Sequence, residues 1–305
     1  METGESAENY SDRTLAGPRG GEWICFPPAR GSFAAFDQPG ARVTEKEMNF
    51  RFKVLQFNMQ FGQIWSEYYP DHAPIRLSTT IKEIQSHNAD IVMLQEVERA
   101  QPGGLQAEVP PNYTELRQTL MGYDSFFAYP NANSQELPFG IGEAIFSKTP
   151  LRDTSRWDLP SPLIEFDFWG ETRTPTDRMM IGATTNLGGH EVRLLNTHLL
   201  AFFMLNASEE NQGQRELVVE QLRASRGIPT LLCGDFNVRK HLHLVEQFAT
   251  AGYRTVQIED PTWRRRPFVL DHIFYNDWLH PVRYEVKPTP ASDHHALVAE
   301  FEFTR

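Results

Sequence analysis

The chain has 305 residues, 40% of them apolar, and 29 Lys and Arg against 40 Asp and Glu give a net charge of −11. These figures exclude a wholly disordered chain, which would lack the apolar material for a core, and a partner gripped through a broad basic surface. A phosphate substrate held through a metal stays open. Only Cys25 and Cys233 are present, too few for a disulfide scaffold, and Cys233 ends an apolar run that suits a buried thiol. The opening Met-Glu-Thr-Gly-Glu-Ser has neither the basic nor the apolar segment of a secretory signal. The stretch Leu199 to Leu205 falls far short of the ~20 apolar residues that span a bilayer. The expectation is a cytoplasmic protein without a transmembrane segment.

Ten of the first 48 residues are Gly or Pro and no helical or strand period runs through them. Residues 1–48 therefore read as a partly irregular N-terminal extension, with Trp23, Phe26, Phe33 and Phe36 able to drape over a domain spanning residues 49–305. That length suits one α/β unit of about 250 residues. In chain order, Phe52 to Phe57 reads as a strand. Pro74 to His87 reads as a helix with Leu77, Ile81 and Ile84 on one face and Pro74 in its first turn. Ile91 to Leu94 is an apolar strand, and a short helix is expected from Asn112 as cap, with Leu116 and Leu120 one turn apart. Strands follow near Phe126 and over Ala144 to Phe146. Met179 to Asn186 and Val192 to Thr197 are joined through Gly188-Gly189, a turn pair that favours an antiparallel hairpin. A helix over Glu209 to Ser225, a strand Thr230 to Cys233, a helix with Leu244, Phe248 and Ala251 inward, and strands His272 to Tyr275 and Ala296 to Phe301 complete the series. Hairpins mixed with strand-helix units predict β-sheets packed together with helices outside.

Polar residues fit for metal or phosphate chemistry recur at the strand ends. Asn58 closes the first strand, Glu96 ends Ile-Val-Met-Leu-Gln-Glu, and Asn196-Thr197-His198 closes another. Asp235 and Asn237 follow Leu-Leu-Cys-Gly, Asp271-His272 opens the strand His-Ile-Phe-Tyr, and Ser292-Asp293-His294-His295 precedes the last strand. Strand ends converge at one edge of a sheet, so residues distant in sequence can meet in one pocket. Oxygen ligands with few imidazoles and no Cys favour Mg²⁺ or Mn²⁺ over zinc.

Leu-Gln-Glu-Val-Glu (94–98), Asn-Thr-His-Leu (196–199), Gly-Asp-Phe-Asn (234–237), Leu-Asp-His-Ile-Phe (270–274) and Ser-Asp-His-His (292–295), in that order, resemble the endonuclease/exonuclease/phosphatase superfamily. The group includes pancreatic deoxyribonuclease, abasic-site endonucleases, poly(A) deadenylases, neutral sphingomyelinases and inositol-polyphosphate phosphatases. The resemblance covers roughly residues 50–303 and implies a four-layered α/β sandwich, two mixed, mainly antiparallel sheets packed together and flanked by helices. It implies Glu96 as the main Mg²⁺ ligand, supported by Asn58 and Asp293, with Mn²⁺ able to substitute. Gln60 stands where abasic-site nucleases carry an acid, so one tightly bound Mg²⁺ is expected. The resemblance further implies that Asp235 orients or deprotonates the attacking water and that Asn237 holds a phosphate oxygen. It makes His294 the catalytic imidazole, paired with Asp271, and gives His198 a hydrogen bond to the scissile phosphate.

Asn58, Asn196 and the basic cluster Arg264-Arg265-Arg266 are the expected phosphate or substrate contacts, the cluster's lesser reading being a solvated hairpin tip. Trp65, Tyr68 and Tyr69 could stack on a base or cover the following helix. Phe202, Phe203, Met204 and Leu205 could form an apolar lip or pack on the adjacent helix. The function so implied is a Mg²⁺-dependent phosphodiesterase or nuclease acting on nucleic acid. A phosphatase or sphingomyelinase-like enzyme on a small or lipid phosphoester is the alternative, and a binding protein on an inactive scaffold a third reading.

Overall fold

The computed structural model describes residues 50–99, 106–131, 140–162, 164–168, 170–201 and 211–304. The expected extension over residues 1–48 and the apolar run Phe202 to Leu205 lie outside them.

One six-stranded sheet is built from β1 (Arg51–Asn58), β2 (Ile91–Gln95), β4 (Asp124–Ala128), β6 (Glu143–Ser147), β15 (Leu279–Lys287) and β16 (Ala296–Phe303), in the order β15-β16-β1-β2-β6-β4. The other contains β7 (Arg152–Asp158), β10 (Met179–Leu187), β11 (His190–His198), β12 (Thr230–Asp235), β13 (Tyr253–Thr255) and β14 (Asp271–Asn276), in the order β13-β14-β12-β11-β10-β7. Two short pairs, β3 (Glu98–Arg99) with β5 (Gly140–Ile141) and β8 (Phe166–Phe168) with β9 (Glu171–Arg173), stand apart. Each large sheet holds one parallel pair, β1 with β2 and β11 with β12, among antiparallel neighbours.

Alternation along the strands sorts the side chains into layers. Phe52 and Val54 of β1, Ile91 and Met93 of β2, Leu194 of β11, Cys233 of β12 and Ile273 of β14 share one buried core between the sheets. Leu55, Phe57, Val92 and Leu94 face the opposite way, onto Leu77, Ile81 and Ile84 of α1 (Leu77–His87) and Leu116 of α2 (Pro111–Thr119). Leu195, Leu232 and Phe274 of the second sheet pack against Val218 and Leu222 of α3 (Gln212–Ala224) and Leu244 and Phe248 of α4 (His241–Ala249). The result is the expected α/β sandwich of four layers. Among the described residues no helix is long and apolar enough to cross a membrane.

The β10–β11 hairpin turns through Gly188 and Gly189, both at positive φ, with Leu187 opposite His190, as the two-residue loop requires. Two helix starts differ from expectation. α1 begins at Leu77, because Pro74 O accepts from Ile64 N and Arg76 N donates to Gly62 O, which commits this backbone to the loop before it. In α2, Asn112 is not the cap: its amide donates to Phe61 O and Val97 O, and Glu98 accepts from Tyr113 N at 2.8 Å instead. The edge strands β7 and β15, unanticipated in sequence, have exposed, charge-rich faces with no clean alternation.

Burial pushes the Glu98 carboxyl up to about 7, against the pull of the Tyr113 and Asn112 amides. The folded state therefore binds this proton more tightly than the unfolded chain. Its contribution is present below the ordinary carboxyl pKa and is lost as pH rises through 7. Glu98→Gln keeps an acceptor for Tyr113 and removes the titration. In denaturant unfolding the wild type is expected to lose on the order of 2 kcal/mol relative to Glu98→Gln between pH 5 and pH 8; an unchanged difference would rule the assignment out.

Candidate active site

The face that carries the inter-sheet core turns polar at one end of five strands. Past Val54, β1 presents Gln56 and Asn58; past Met93, β2 presents Gln95; past Leu194, β11 presents Asn196 and His198; past Cys233, β12 presents Asp235; and β14 begins with Asp271. The parallel pairs place Asn58 beside Gln95 and His198 beside Asp235, and the antiparallel β12–β14 pair places Asp235 opposite Asp271. Residues scattered from 56 to 294 in the chain thus share one edge of the sandwich.

These groups are joined across the seam. Gln56 Nε2 donates to Asp271 Oδ1 (2.9 Å) and Gln95 Oε1 (2.8 Å), Gln95 Nε2 donates to Asn196 Oδ1 (2.6 Å), and Asn58 Nδ2 bridges Asp235 Oδ2 and Glu96 Oε1 at 3.1 Å each. The loop before β16 is clipped over them. Ser292 Oγ donates to Asn58 O and accepts from His294 N, Asp293 N donates to Gln60 Oε1, and His295 N donates to Thr262 O. This brings His294 Nδ1 to 2.7 Å from Asp271 Oδ2 and His294 Nε2 to 3.6 Å from Asp235 Oδ2.

The backbone is strained here in particular. Among the described residues six non-glycines have positive φ, and Gln60, Phe61, Glu96 and Asn237 of these surround the site. Gly234 has a simpler reason. A Cβ there would lie 2.2 Å from Thr197 O on the parallel neighbour β11, so the residue before Asp235 must lack one. Asp235 Oδ1 then accepts from Asn237 N at 3.1 Å, which turns the chain out of the strand.

Asp235, 2% exposed, has its carboxyl raised above the usual range by burial, with Asp271 and Glu96 adding repulsion and His294 opposing. Burial disfavours the His294 cation, but the charges of Asp271 and Asp235 and the Asp271 hydrogen bond outweigh it and push the ring up to about 10. His198 goes the other way, well below its ordinary value, through burial and then the neighbouring Arg178 and His294. Two imidazoles in one site are thus driven to opposite charge states. Asp235, Asp271 and His294 each offer a ligand atom within 4.8 Å of the others, a spacing that could hold a metal ion.

Glu96, Asn58, His198, Asp235, Asn237, Asp271, Asp293 and His294 therefore meet in one place. Asn196 lies beneath it: fully buried, its amide is committed to Gln95, Leu94 O and Ala144 O. His272 points to the opposite face of β14, against Phe236 and Phe274. The arginine cluster divides. Arg265 bonds Asp293 Oδ2 (2.9 Å) and Asp71 Oδ1 (2.6 Å), Arg264 lies 5.6 Å over the Trp65 ring, and Arg266 is exposed. Trp65 is half-buried beneath both Arg264 and Arg265, whereas Tyr68 and Tyr69 are 87% and 69% exposed. Sequence reasoning missed Gln56, Gln95 and Arg178. The two glutamines had a legible signal, since each occupies an inward strand position where alternation calls for an apolar residue; Arg178, one residue before β10, had none.

Two measurements check this geometry. In NMR titration the His294 ring should stay protonated well above neutrality, and Asp271→Asn, which keeps the shape and removes the charge, should lower its midpoint by more than one pH unit. An unmoved midpoint contradicts the pairing. Gly234→Ala is expected to cost about 1–3 kcal/mol in denaturant unfolding through overpacking against Thr197 O, and wild-type stability would refute the close approach.

Residues 55–294 match the model of the endonuclease/exonuclease/phosphatase family. No curated protein matches the sequence. Among solved structures, the chain resembles an endonuclease/exonuclease/phosphatase from Beutenbergia cavernae (TM-score 0.65, 20% identity, 83% of this chain and 72% of that one). It also resembles the catalytic domain of human Nocturnin (0.58, 21%, 83% and 95%) and a mannosyl-6-phosphatase of Bacteroides thetaiotaomicron (0.58, 17%, 83% and 100%). At these identities the structural likenesses establish the fold, and the family match, over most of the chain and the whole of the site, establishes the kinship. The chain belongs to the endonuclease/exonuclease/phosphatase family, whose members hydrolyse phosphoester bonds.

Proposed function

We propose that the enzyme is a Mg²⁺-dependent phosphodiesterase acting on nucleic acid, with Mn²⁺ able to substitute. The observation that carries this reading is the run of contacts from Asp271 through His294 to Asp235, and from Asp235 through Asn58 to Glu96. It sets a proton-handling pair beside a cluster of hard oxygen donors. Glu96, 19% exposed, has its carboxyl raised by burial and then by repulsion from Asp293. Two like charges at a partly open mouth fit a divalent cation. Glu96, Asn58 and Asp293 would hold it, and when bound it would withdraw charge from the phosphoryl group. The alternative set, Asp235, Asp271 and His294, suits proton chemistry better, because Asp271 commits one oxygen to His294 and the other to Gln56.

The protein's own groups then divide the work. Asp235, its affinity for protons raised by burial, accepts a proton from the attacking water. His294, kept cationic by Asp271, faces the charge that develops on the phosphoryl oxygens, and Asn237 and His198 donate to those oxygens. Water attacks in line with the leaving oxygen, and no covalent enzyme intermediate is needed. Asn196 supports Gln95 from below. Nucleic acid is favoured over a small phosphoester by the rim, where the Arg264 guanidinium and the exposed Tyr68 and Tyr69 offer cationic and aromatic surfaces to flanking phosphates and bases.

A panel of single- and double-stranded DNA, RNA, sphingomyelin, inositol phosphates and sugar phosphates, with Mg²⁺, tests the substrate class. Turnover of only the lipid, inositol or sugar substrates would overturn the nucleic-acid reading. Asp235→Asn is expected to lower kcat at least 100-fold with unchanged circular dichroism. Glu96→Gln should weaken Mn²⁺ binding, read by electron paramagnetic resonance, at least tenfold, whereas Asp271→Asn leaves it within about threefold. The reverse order would place the metal on the Asp235, Asp271 and His294 set.

A further inference from the structure

Arg178 belongs to none of the motifs, yet it lies against the site. It directly precedes β10, its backbone O accepts from Leu159 N (2.9 Å), and the residue is only 5% exposed. Its Nη1 reaches His198 Nδ1 at 3.1 Å. The buried Glu143 carboxyl lies in the same neighbourhood, where the Arg178 charge and the His198 backbone N–H both act to lower its pKa against burial. A guanidinium has N–H donors and no acceptor. The His198 Nδ1 must therefore present its lone pair to Arg178, and the ring proton of a neutral imidazole must sit on Nε2.

That nitrogen faces the reaction centre, 3.4 Å from Asp235 Oδ2, 3.9 Å from Glu96 Oε1 and 3.0 Å from Asn237 Nδ2. Asn237 Nδ2 itself donates to Leu199 O at 3.1 Å. With the Nδ1 lone pair taken by Arg178, Nε2 cannot also accept from Asn237. Two N–H donors thus stand side by side with no acceptor between them, and one anionic oxygen would serve both. The opposite tautomer would aim a lone pair at that oxygen and repel it.

We propose that Arg178 is a positioning residue that selects the Nε2–H tautomer of His198, so that the ring offers a donor to a phosphoryl oxygen of the substrate. The role presupposes the phosphodiesterase reading, whereas the tautomer does not.

The test uses the full-length chain labelled with ¹⁵N-histidine, His198 being assigned by its loss in His198→Gln. Wild-type ¹⁵N shifts should report Nε2 protonated and Nδ1 bare; a proton on Nδ1 overturns the proposal before any variant is made. Arg178→Met, which keeps the stem and loses the donors, should give a tautomer mixture. On bis(p-nitrophenyl) phosphate with Mg²⁺ it should also lower kcat by about two- to tenfold, in proportion to the share of rings that lose the Nε2–H form, with KM within about threefold. Arg178→Lys, which restores a donor, should recover the tautomer and most of kcat. A merely structural arginine would leave the tautomer unchanged in a folded Arg178→Met. A wild-type enzyme inactive on every diester but showing the Nε2–H pattern would count against the phosphodiesterase reading and uphold the Arg178–His198 assignment.

Discussion

Everything in the site hangs on a seam of buried hydrogen bonds between the two sheets. A carboxylate or carboxamide taken out of water costs several kcal/mol unless its partners are restored inside. Gln56, Asn58 and Gln95 project from one sheet, and Asp271, Asp235 and Asn196 from the other, each amide meeting its counterpart within 2.6 to 3.1 Å. The two sheets can close at this end only when these pairs are made together, so the arrangement that keeps the polar groups from opening the core also fixes where the reactive ones stand.

The electrostatics follow from that closure. Asp235 and Asp271 lie opposite one another in antiparallel register at the floor of the site, a juxtaposition that buried anions do not tolerate alone. His294 resolves it by bonding Asp271 with one nitrogen and facing Asp235 with the other, and the same two charges hold its proton. His198, a few ångströms away, meets the Arg178 cation instead and is kept neutral. The same residue type is thereby driven once toward the cation and once toward the neutral ring, by burial together with the charged side chain that stands behind it.

How much was legible differs between the layers. The inner strands and the amphipathic faces of α1 and α4 followed from periodicity, since burial on one or both sides imposes it. The edge strands β7 and β15 did not, because a half-solvated strand may carry Arg, Asp and Glu without penalty. The α2 start was misplaced because the acceptor for an N–H of its first turn is Glu98, a residue from another element. The strand-end motifs were legible as chemistry, and Gln56 and Gln95 could have been added to them as polar residues in apolar positions. The division of labour within the arginine cluster could not, for it depends on Trp65, Asp71 and Asp293, which lie far along the chain.

By itself, the amino-acid sequence determined the inward and outward faces of the strands, the hairpin at Gly188-Gly189, and the chemistry at the strand ends, because these depend on neighbours within a few residues. The tertiary structure alone decided that Arg178 stands against His198, that the arginine cluster divides, and that Asn196 lies beneath the site rather than in it. Those outcomes are set by contacts between residues tens to hundreds of positions apart, and by the loss of water around them when the two sheets close.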